Sequence, residues 1–264
     1  MSLARLAAQL CAVQALLGNT IVGSNVRDSE TGLIRVDADG NIATSEQRPF
    51  INVFSDDERH EDGRRSLMDS GRFTMAFEFG VTGSMPVVTA EGSYLVDAET
   101  GQIILAEREK PLDAEINIVI EIIDRQIRVA LSEPENPWAE LWRKFLRGPY
   151  AVDSIRGASD KDSLRFGARK LTITGGLLAE PPYRSPVADG SAWRAFLDAL
   201  DGSQIAHLKP DFEQLLGTAE SDDGVDLLRR RYGHTIGEAT KLGYAPVRTE
   251  AIAGHEIDED AGSA

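Results

Sequence analysis

The chain has 264 residues, 42% of them hydrophobic and 27% charged, which is the balance of a soluble globular protein long enough for one large domain or two small ones. Its formal net charge of −15 argues against nucleic acid or an anionic membrane as a partner of the surface as a whole, and no apolar run reaches the length that crosses a bilayer. A single cysteine, Cys11, excludes an intramolecular disulfide and a cysteine-based zinc cage, and it fits the cytoplasm.

The N-terminal segment "LARLAAQLCAVQALLG" predicts an amphipathic helix that ends near Gly18. Its apolar residues recur at intervals of three and four, with Arg5, Gln9 and Gln14 between them. This spacing differs from the continuous apolar core of a signal peptide, so we expect a structural helix. Cys11 falls within the pattern and is most simply a small buried hydrophobic residue, with a nucleophile as the alternative.

Two strands and a hairpin follow. "PFINVF" predicts a strand over residues 50–54, with Pro49 at its start. "GRFTMAFEFGV" has the clearest period-two alternation in the chain, and its apolar positions are Phe73, Met75, Phe77, Phe79 and Val81. The segment "AEGSYLVDAETGQIILAERE" predicts an inserted hairpin at about residues 90–110.

The next elements are helical. A long helix is predicted from Leu112 to about Leu131, with acidic residues in its first turn. "ENPWAELWRKFLRG" predicts another helix, with Asn136 as N-cap, Pro137 at the first helical position and Gly148 as the residue that ends it. "LRFGARKLTITGGLLAEPP" then returns to a strand, and most of the remaining sequence has a helical pattern.

This order of elements predicts an α+β fold: an antiparallel or mixed sheet with helices packed on one face, plus a mostly helical C-terminal extension. We assign residues 1–182 to the α+β domain and residues 183–264 to the extension. The last sixteen residues contain five acids and no lysine or arginine, and we interpret them as an acidic tail.

The sequence contains no Walker loop, GxGxxG, GxSxG or HExxH motif. The best remaining candidate for a chemical site is the acidic segment "SDDERHEDGRR", which follows the strand predicted at residues 50–54. Three interpretations remain open: a solvated or interface loop, a site for a divalent cation, and a general acid/base site. The interleaved arginines neutralise the acids without a metal, and neighbouring residues of an extended chain point to opposite sides. We therefore favour the loop and predict no catalytic residues, no metal ligands and no cofactor.

Several segments, taken in order, resemble the tail terminator (tail completion) proteins of long-tailed bacteriophages and related gene transfer particles. They are "LARLAAQLCAVQALLG", "TIVGSNVRDS", "RPFINVFSDDER", "FTMAFEFGV", "LDAEINIVIEIIDRQIRVAL" and "RFGARKLTITGGLLAEPP". The resemblance covers about residues 1–182 and lies in the order and style of the segments. The hairpin near 97–101 and the sequence after about Ser185 depart from the shorter members of the family.

The resemblance implies a structural virion protein and no enzyme. Proteins of this family form a ring, usually a hexamer, on the last ring of tail-tube subunits, where they stop tube growth and join the tail to the head connector or adaptor. The partners implied are further copies of the chain, the tail-tube protein, the connector or adaptor, and double-stranded DNA that passes through the lumen without specific binding. The implied location is the tail-neck region of the virion, assembled in the host cytoplasm, with no membrane contact.

Two other functions remain as alternatives. One is another neck or tail component, either a head–tail adaptor or the tail-tube protein itself; the other is a metal-dependent hydrolase that uses the acidic cluster from Asp56 to Asp62. For the tail terminator, residues 56–65 are expected to face the DNA lumen or an adjoining subunit. The candidate surface residues are Asp56, Asp57, Glu58, Arg59, Glu61, Asp62, Arg64 and Arg65.

Overall fold

The fold is known from a computed structural model of the whole chain. The structure describes residues 2–36, 42–44, 46, 48–59, 71–81, 84–87, 89, 95–97, 104–107, 113–159, 166–217, 225, 228–229 and 232–243.

The described residues form nine strands and six helices with two defined ends, together with a short 3-10 helix at Ala206–Leu208. The helices are α1 (Leu3–Leu16), α2 (Asp113–Ser132), α3 (Pro137–Phe145), α4 (Ala192–Leu200), α5 (Lys209–Leu216) and α6 (Ile236–Lys241). The strands are β1 (Val26–Asp28), β2 (Arg35–Val36), β3 (Ile42–Ala43), β4 (Phe50–Arg59), β5 (Arg72–Val81), β6 (Ser84–Pro86), β7 (Leu105–Glu107), β8 (Leu146–Ser159) and β9 (Phe166–Leu177).

The centre of the molecule is a five-stranded mixed sheet in the order β1-β4-β5-β9-β8. Strand β1 runs parallel to β4, and every other neighbouring pair is antiparallel. Two small antiparallel pairs, β2 with β3 and β6 with β7, lie outside this sheet. The predicted α+β fold with a mixed sheet is confirmed.

One face of the sheet carries the main core. The alternating residues of β5 predicted to be apolar and inward, from Phe73 to Val81, are all buried, because α1 and α2 pack against the strands on that side. Helix α1 is buried almost around its whole circumference, and α2 presents a buried stripe that includes Ile116, Ile120 and Ile127. Helix α3 packs on both of these helices.

Helix α2 approaches β9 closely at Gly167. A Cβ atom at this position would lie 2.4 Å from Cγ2 of Ile116 and 2.7 Å from Cδ1 of Ile120. Both distances are far inside van der Waals contact, and the methyl groups belong to a helix that is itself fixed in the core. Glycine at 167 therefore sets the separation between the helix and the sheet.

We expect Gly167→Ala to lower the free energy of unfolding by about 1 to 3 kcal/mol, since the added methyl overpacks the core. Urea unfolding followed by circular dichroism measures this change. The matched control is Gly237→Ala in α6, where an added Cβ meets nothing within 4 Å and alanine has the higher helix propensity. Equal stability of Gly167→Ala and the parent protein would show that α2 yields at this contact.

The described helices that follow residue 182, α4 and α5, are part of the same core. Helix α4 packs beside α3 and helix α5 packs on α4, and their inward side chains belong to the main apolar cluster. Phe145 at the end of α3 meets Trp193 and Phe196 edge to face, with ring centroids 5.0 and 5.7 Å apart, and Phe196 meets Phe212 at 5.0 Å. The mostly helical extension thus contributes buried aromatic residues to the α+β core.

One predicted strand end and one predicted helix end are wrong, and one strand was not predicted. Strand β4 does not stop at Phe54 but continues to Arg59, because its outer half pairs with β5 after a bulge between Ser55 and Asp57. Strand β8, which the sequence pattern did not predict, begins at Leu146 directly after α3. Gly148 consequently does not end the helix; its φ of +70° lies within an irregularity of β8.

The predicted hairpin at about residues 90–110 falls partly outside the described residues. On its flanks, the backbone N–H of Ile104 donates to the carbonyl of Leu95 at 2.8 Å, and the N–H of Val87 donates to the carbonyl of Ile104 at 2.9 Å. The chain segments on both sides of residues 98–103 are therefore paired.

Candidate assembly surface

The sheet face opposite the helices carries a polar row with one long-range ion pair. Lys170 of β9 alternates with Arg169, which points toward α2, so Lys170 lies on the other face. Its ammonium group is 2.5 Å from Oδ2 of Asp56 in β4 and 5.1 Å from the ring centroid of Phe54. Strand β5 lies between β4 and β9, so the two side chains together bridge strands that are about 10 Å apart.

A small residue, Ala76, lies in β5 on this face of the sheet. In the register of the sheet, Ala76 lies between Phe54 on β4 and Thr172 on β9. Ala76 is fully buried although it lies on the face away from the helices.

Glu78 titrates beside this pair. It is the register partner of Lys170, and partial burial raises the pKa of its carboxyl group above the ordinary value of 4.5. The positive charge of Lys170 opposes that rise in pKa, and the negative charge of Asp56 adds to it. The three groups therefore form one electrostatically coupled cluster.

Two substitutions should move the pKa of Glu78 in opposite directions. Lys170→Met removes the neighbouring cation, so we expect the pKa to rise further; Asp56→Asn removes a like charge, so we expect it to fall. Carbon-detected NMR titration of the glutamate carboxyl groups measures both shifts. Shifts of the same sign in the two variants would contradict the cluster.

The two edges of the sheet differ in length. Strand β1 covers β4 only at residues 51–53. It stops there because the chain turns at Ser29, whose φ is +55° and whose N–H donates to the carbonyl of Val53 at 2.9 Å. Beyond Val53, β4 has β5 as its one strand neighbour within the described part of the chain. We call residues 54–59 an open edge, because among the described residues no strand pairs with them on the β1 side.

A buried glutamine fixes the end of β1 in place. Gln9 of α1 donates through its side-chain amide to Asp28 and, at 2.6 Å, to Oγ of Ser29. Its amide oxygen accepts from Oγ of Ser55 at 2.8 Å. The same helix residue thus ties β1, the turn and β4 together, so the point at which β4 becomes an edge is structurally defined.

The opposite edge is strand β8, which pairs with β9 on its inner side. Residues 147–156 are all exposed, and three of them are large and apolar: Tyr150, Val152 and Ile155. Ile155 exposes 69% of its surface. A long exposed edge strand with apolar side chains is a template for pairing with another strand.

An ion network anchors α2 to the sheet near this edge. Arg169 of β9 donates to Oε2 of Glu121 at 3.0 Å and to Oδ2 of Asp124 at 2.9 Å, and Asp124 also accepts from Nε of Arg128 at 2.7 Å. The Arg169 hydrogen bond holds the pKa of Glu121 below its ordinary value, and Glu121 in turn raises the pKa of Arg169. Only 14% of the Arg169 side chain is exposed.

The predicted surface residues divide into three groups. Asp56 is exposed and paired with Lys170. Asp57, Glu58 and Arg59 lie in strand β4, opposite Thr74, Phe73 and Arg72 of β5. The remaining members of the predicted surface, and the neighbouring histidine, lie outside the described residues: His60, Glu61, Asp62, Arg64 and Arg65.

The structure also identifies residues that the sequence did not single out: Glu78, Lys170 and the edge of β8. Lys170 and Asp56 are 114 positions apart in the chain, and no local pattern signals their contact. Among the residues that the structure describes, no three histidine, cysteine, aspartate or glutamate side chains gather as metal ligands.

No protein-family model and no curated protein matches this chain. Within the described residues, no helix has both the length and the apolar character that crossing a membrane requires.

Proposed function

We propose that this protein is a structural virion protein, a tail terminator that forms a ring on the last ring of tail-tube subunits and joins the tail to the head connector. The observation that carries the proposal is the sheet with two open edges, residues 54–59 of β4 and residues 147–156 of β8. A subunit with a different open edge on each side suits head-to-tail assembly, which closes into a ring when the rotation between neighbours allows it.

Two further features support the proposal. The α+β architecture, with helices on one face of a mixed sheet, is the one that the resemblance to tail terminators implies. The net charge of −15 suits a ring around double-stranded DNA, since a negative lumen repels phosphates and lets the DNA pass.

The test is electron microscopy of the purified protein, alone and with the tail-tube protein encoded in the same genome. A terminator gives discrete rings or monomers alone, and it shortens the tubes that the tube protein forms, with a ring at one end of each. Long tubes formed by this chain alone would identify it as the tube protein instead. Tubes of unchanged length with bare ends would reject the terminator function.

A further inference from the structure

We infer that the two open edges bind each other between copies of this chain: strand β8 of one subunit pairs antiparallel with residues 54–59 of β4 in the next. This inference rests on the proposed ring and names the contact that builds it. The occupant of each edge is therefore a second copy of the same protein, placed head to tail.

The strand directions of the sheet fit this arrangement. Strand β4 is antiparallel to β5, β5 to β9, and β9 to β8, so β8 runs opposite to β4. A neighbouring copy shifted along the sheet, without being turned over, brings its β4 beside β8 with antiparallel direction. The helices of both copies then lie on the same face, and the sheet continues across the interface.

The early end of β1 leaves room beside residues 54–59 of β4 for a strand of the neighbouring subunit. Because the turn at Ser29 ends β1 at the level of Val53, the outer half of β4 has no strand on its β1 side among the described residues. An edge of six residues, the number from 54 to 59, is the length of an ordinary strand pairing. The N–H and C=O groups on this side of β4 then find partners in β8.

The two edges have opposite formal charge. Residues 54–59 contain Asp56, Asp57, Glu58 and Arg59, which gives −2, whereas residues 147–156 contain Arg147, Asp153 and Arg156, which gives +1. The positive edge is notable in a chain of net charge −15. Complementary charge steers the two different edges toward each other, and the acids of β4 repel a second β4 edge.

The exposed apolar residues of β8 add burial to the backbone pairing. Tyr150, Val152 and Ile155 are all exposed in the single chain. Val152 and Ile155 differ in parity along the strand, so they lie on opposite faces of the sheet. A neighbouring strand at the edge covers side chains on both faces, which favours pairing with a whole strand over contact with one face.

A charge-swap pair tests the inference. The first variant carries Asp57→Lys and Glu58→Lys, which makes the β4 edge positive; the second carries Arg147→Glu and Ile155→Glu, which makes the β8 edge negative. We expect each variant alone to assemble at least about tenfold more weakly than the parent protein, because like charges then face each other. An equimolar mixture should restore assembly, since each β4 edge again meets a β8 edge of opposite charge.

Native mass spectrometry and sedimentation velocity over a range of protein concentrations measure the oligomers. The control is Leu215→Lys, which adds a charge at a residue that is 54% exposed on α5, a helix that packs on α4, and should leave assembly unchanged. Restored assembly in the mixture also demonstrates that both variants are folded.

Three results would overturn the inference. A parent protein that stays monomeric at every concentration, also with the tail-tube protein, excludes the interface. Undiminished assembly of the first variant alone indicates an interface without the β4 edge, and undiminished assembly of the second indicates an interface without the β8 edge. The proposed function fails separately: assembly through these edges without any capping of tail tubes keeps the interface and rejects the terminator.

Discussion

Phe196→Ala is expected to lower the free energy of unfolding by about 3 to 5 kcal/mol, the usual loss when a fully buried phenylalanine is truncated. Phe196 has no exposed surface and touches the rings of Phe145, Trp193 and Phe212 in edge-to-face geometry. The substitution removes three aromatic contacts and leaves a cavity between α3, α4 and α5. Because whole domains are stable by only about 5 to 15 kcal/mol, the change is readily measured by urea unfolding.

The matched control is Leu215→Ala in α5, where the side chain is largely exposed and we expect a change of about 0.5 kcal/mol or less. A similarly small loss for Phe196→Ala would mean that the segment after residue 182 packs only loosely on α3. A second unfolding transition would indicate that this segment melts by itself.

Arg169→Leu should lower the free energy of unfolding by about 2 to 4 kcal/mol, because it leaves a largely buried carboxylate with one partner fewer. Asp124 exposes 10% of its side chain and accepts from both Arg169 and Arg128. The substitution also removes the ion pairs that join α2 to β9 beside the β8 edge. Arg128→Leu is the control: it removes the other partner of the same carboxylate, but its side chain is about half exposed, so we expect a loss below about 1 kcal/mol.

The pH dependence of stability gives an independent readout of the same network. Arg169 lowers the pKa of Glu121 in the folded protein, so this contribution to stability is present above the ordinary pKa of 4.5 and is lost as the pH falls through the folded-state pKa. The stability difference between the parent protein and Arg169→Leu should therefore narrow as the pH falls below 4.5. A difference that stays constant from neutral to acidic pH would indicate loss of packing instead of loss of the ion pair.

The elements predicted correctly from the sequence are those with one buried face. Strand β5 alternates in hydrophobicity because one side meets the helices, and α2 repeats its apolar residues at helical spacing for the same reason. At α3, Asn136 accepts from the backbone N–H groups of Trp138 and Ala139, as its position before Pro137 predicts. Local chemistry decides such features, so they can be recognised without knowing the fold.

The elements predicted wrongly owe their structure to distant partners. Strand β8 is exposed on both faces over most of its length, so it has no alternating pattern, and Gly148 with Pro149 suggests a turn. It is a strand because β9 pairs with it. Likewise, Asp57 and Glu58 suggest a loop by composition, but pairing with Thr74 and Phe73 keeps them extended.

The candidate surface follows the same division. Its acidic residues were visible in the sequence, whereas Lys170 joins them only because β9 and β4 flank the same strand. The open edges were not predictable either, since a strand is an edge only when it pairs with another strand on one side and not on the other. Sheet order is a property of the whole chain, and no local segment contains it.

The direct junction between α3 and β8 has a mechanical consequence. The helix ends at Phe145 and the strand begins at Leu146, so no loop separates the two elements. A pulling force applied along β8 passes the irregularity at Gly148 and then reaches α3, and through the ring of Phe145 it reaches Trp193 and Phe196. If β8 carries the load between neighbouring subunits, the packing of Phe145 against Trp193 and Phe196 holds β8 to the core against that load.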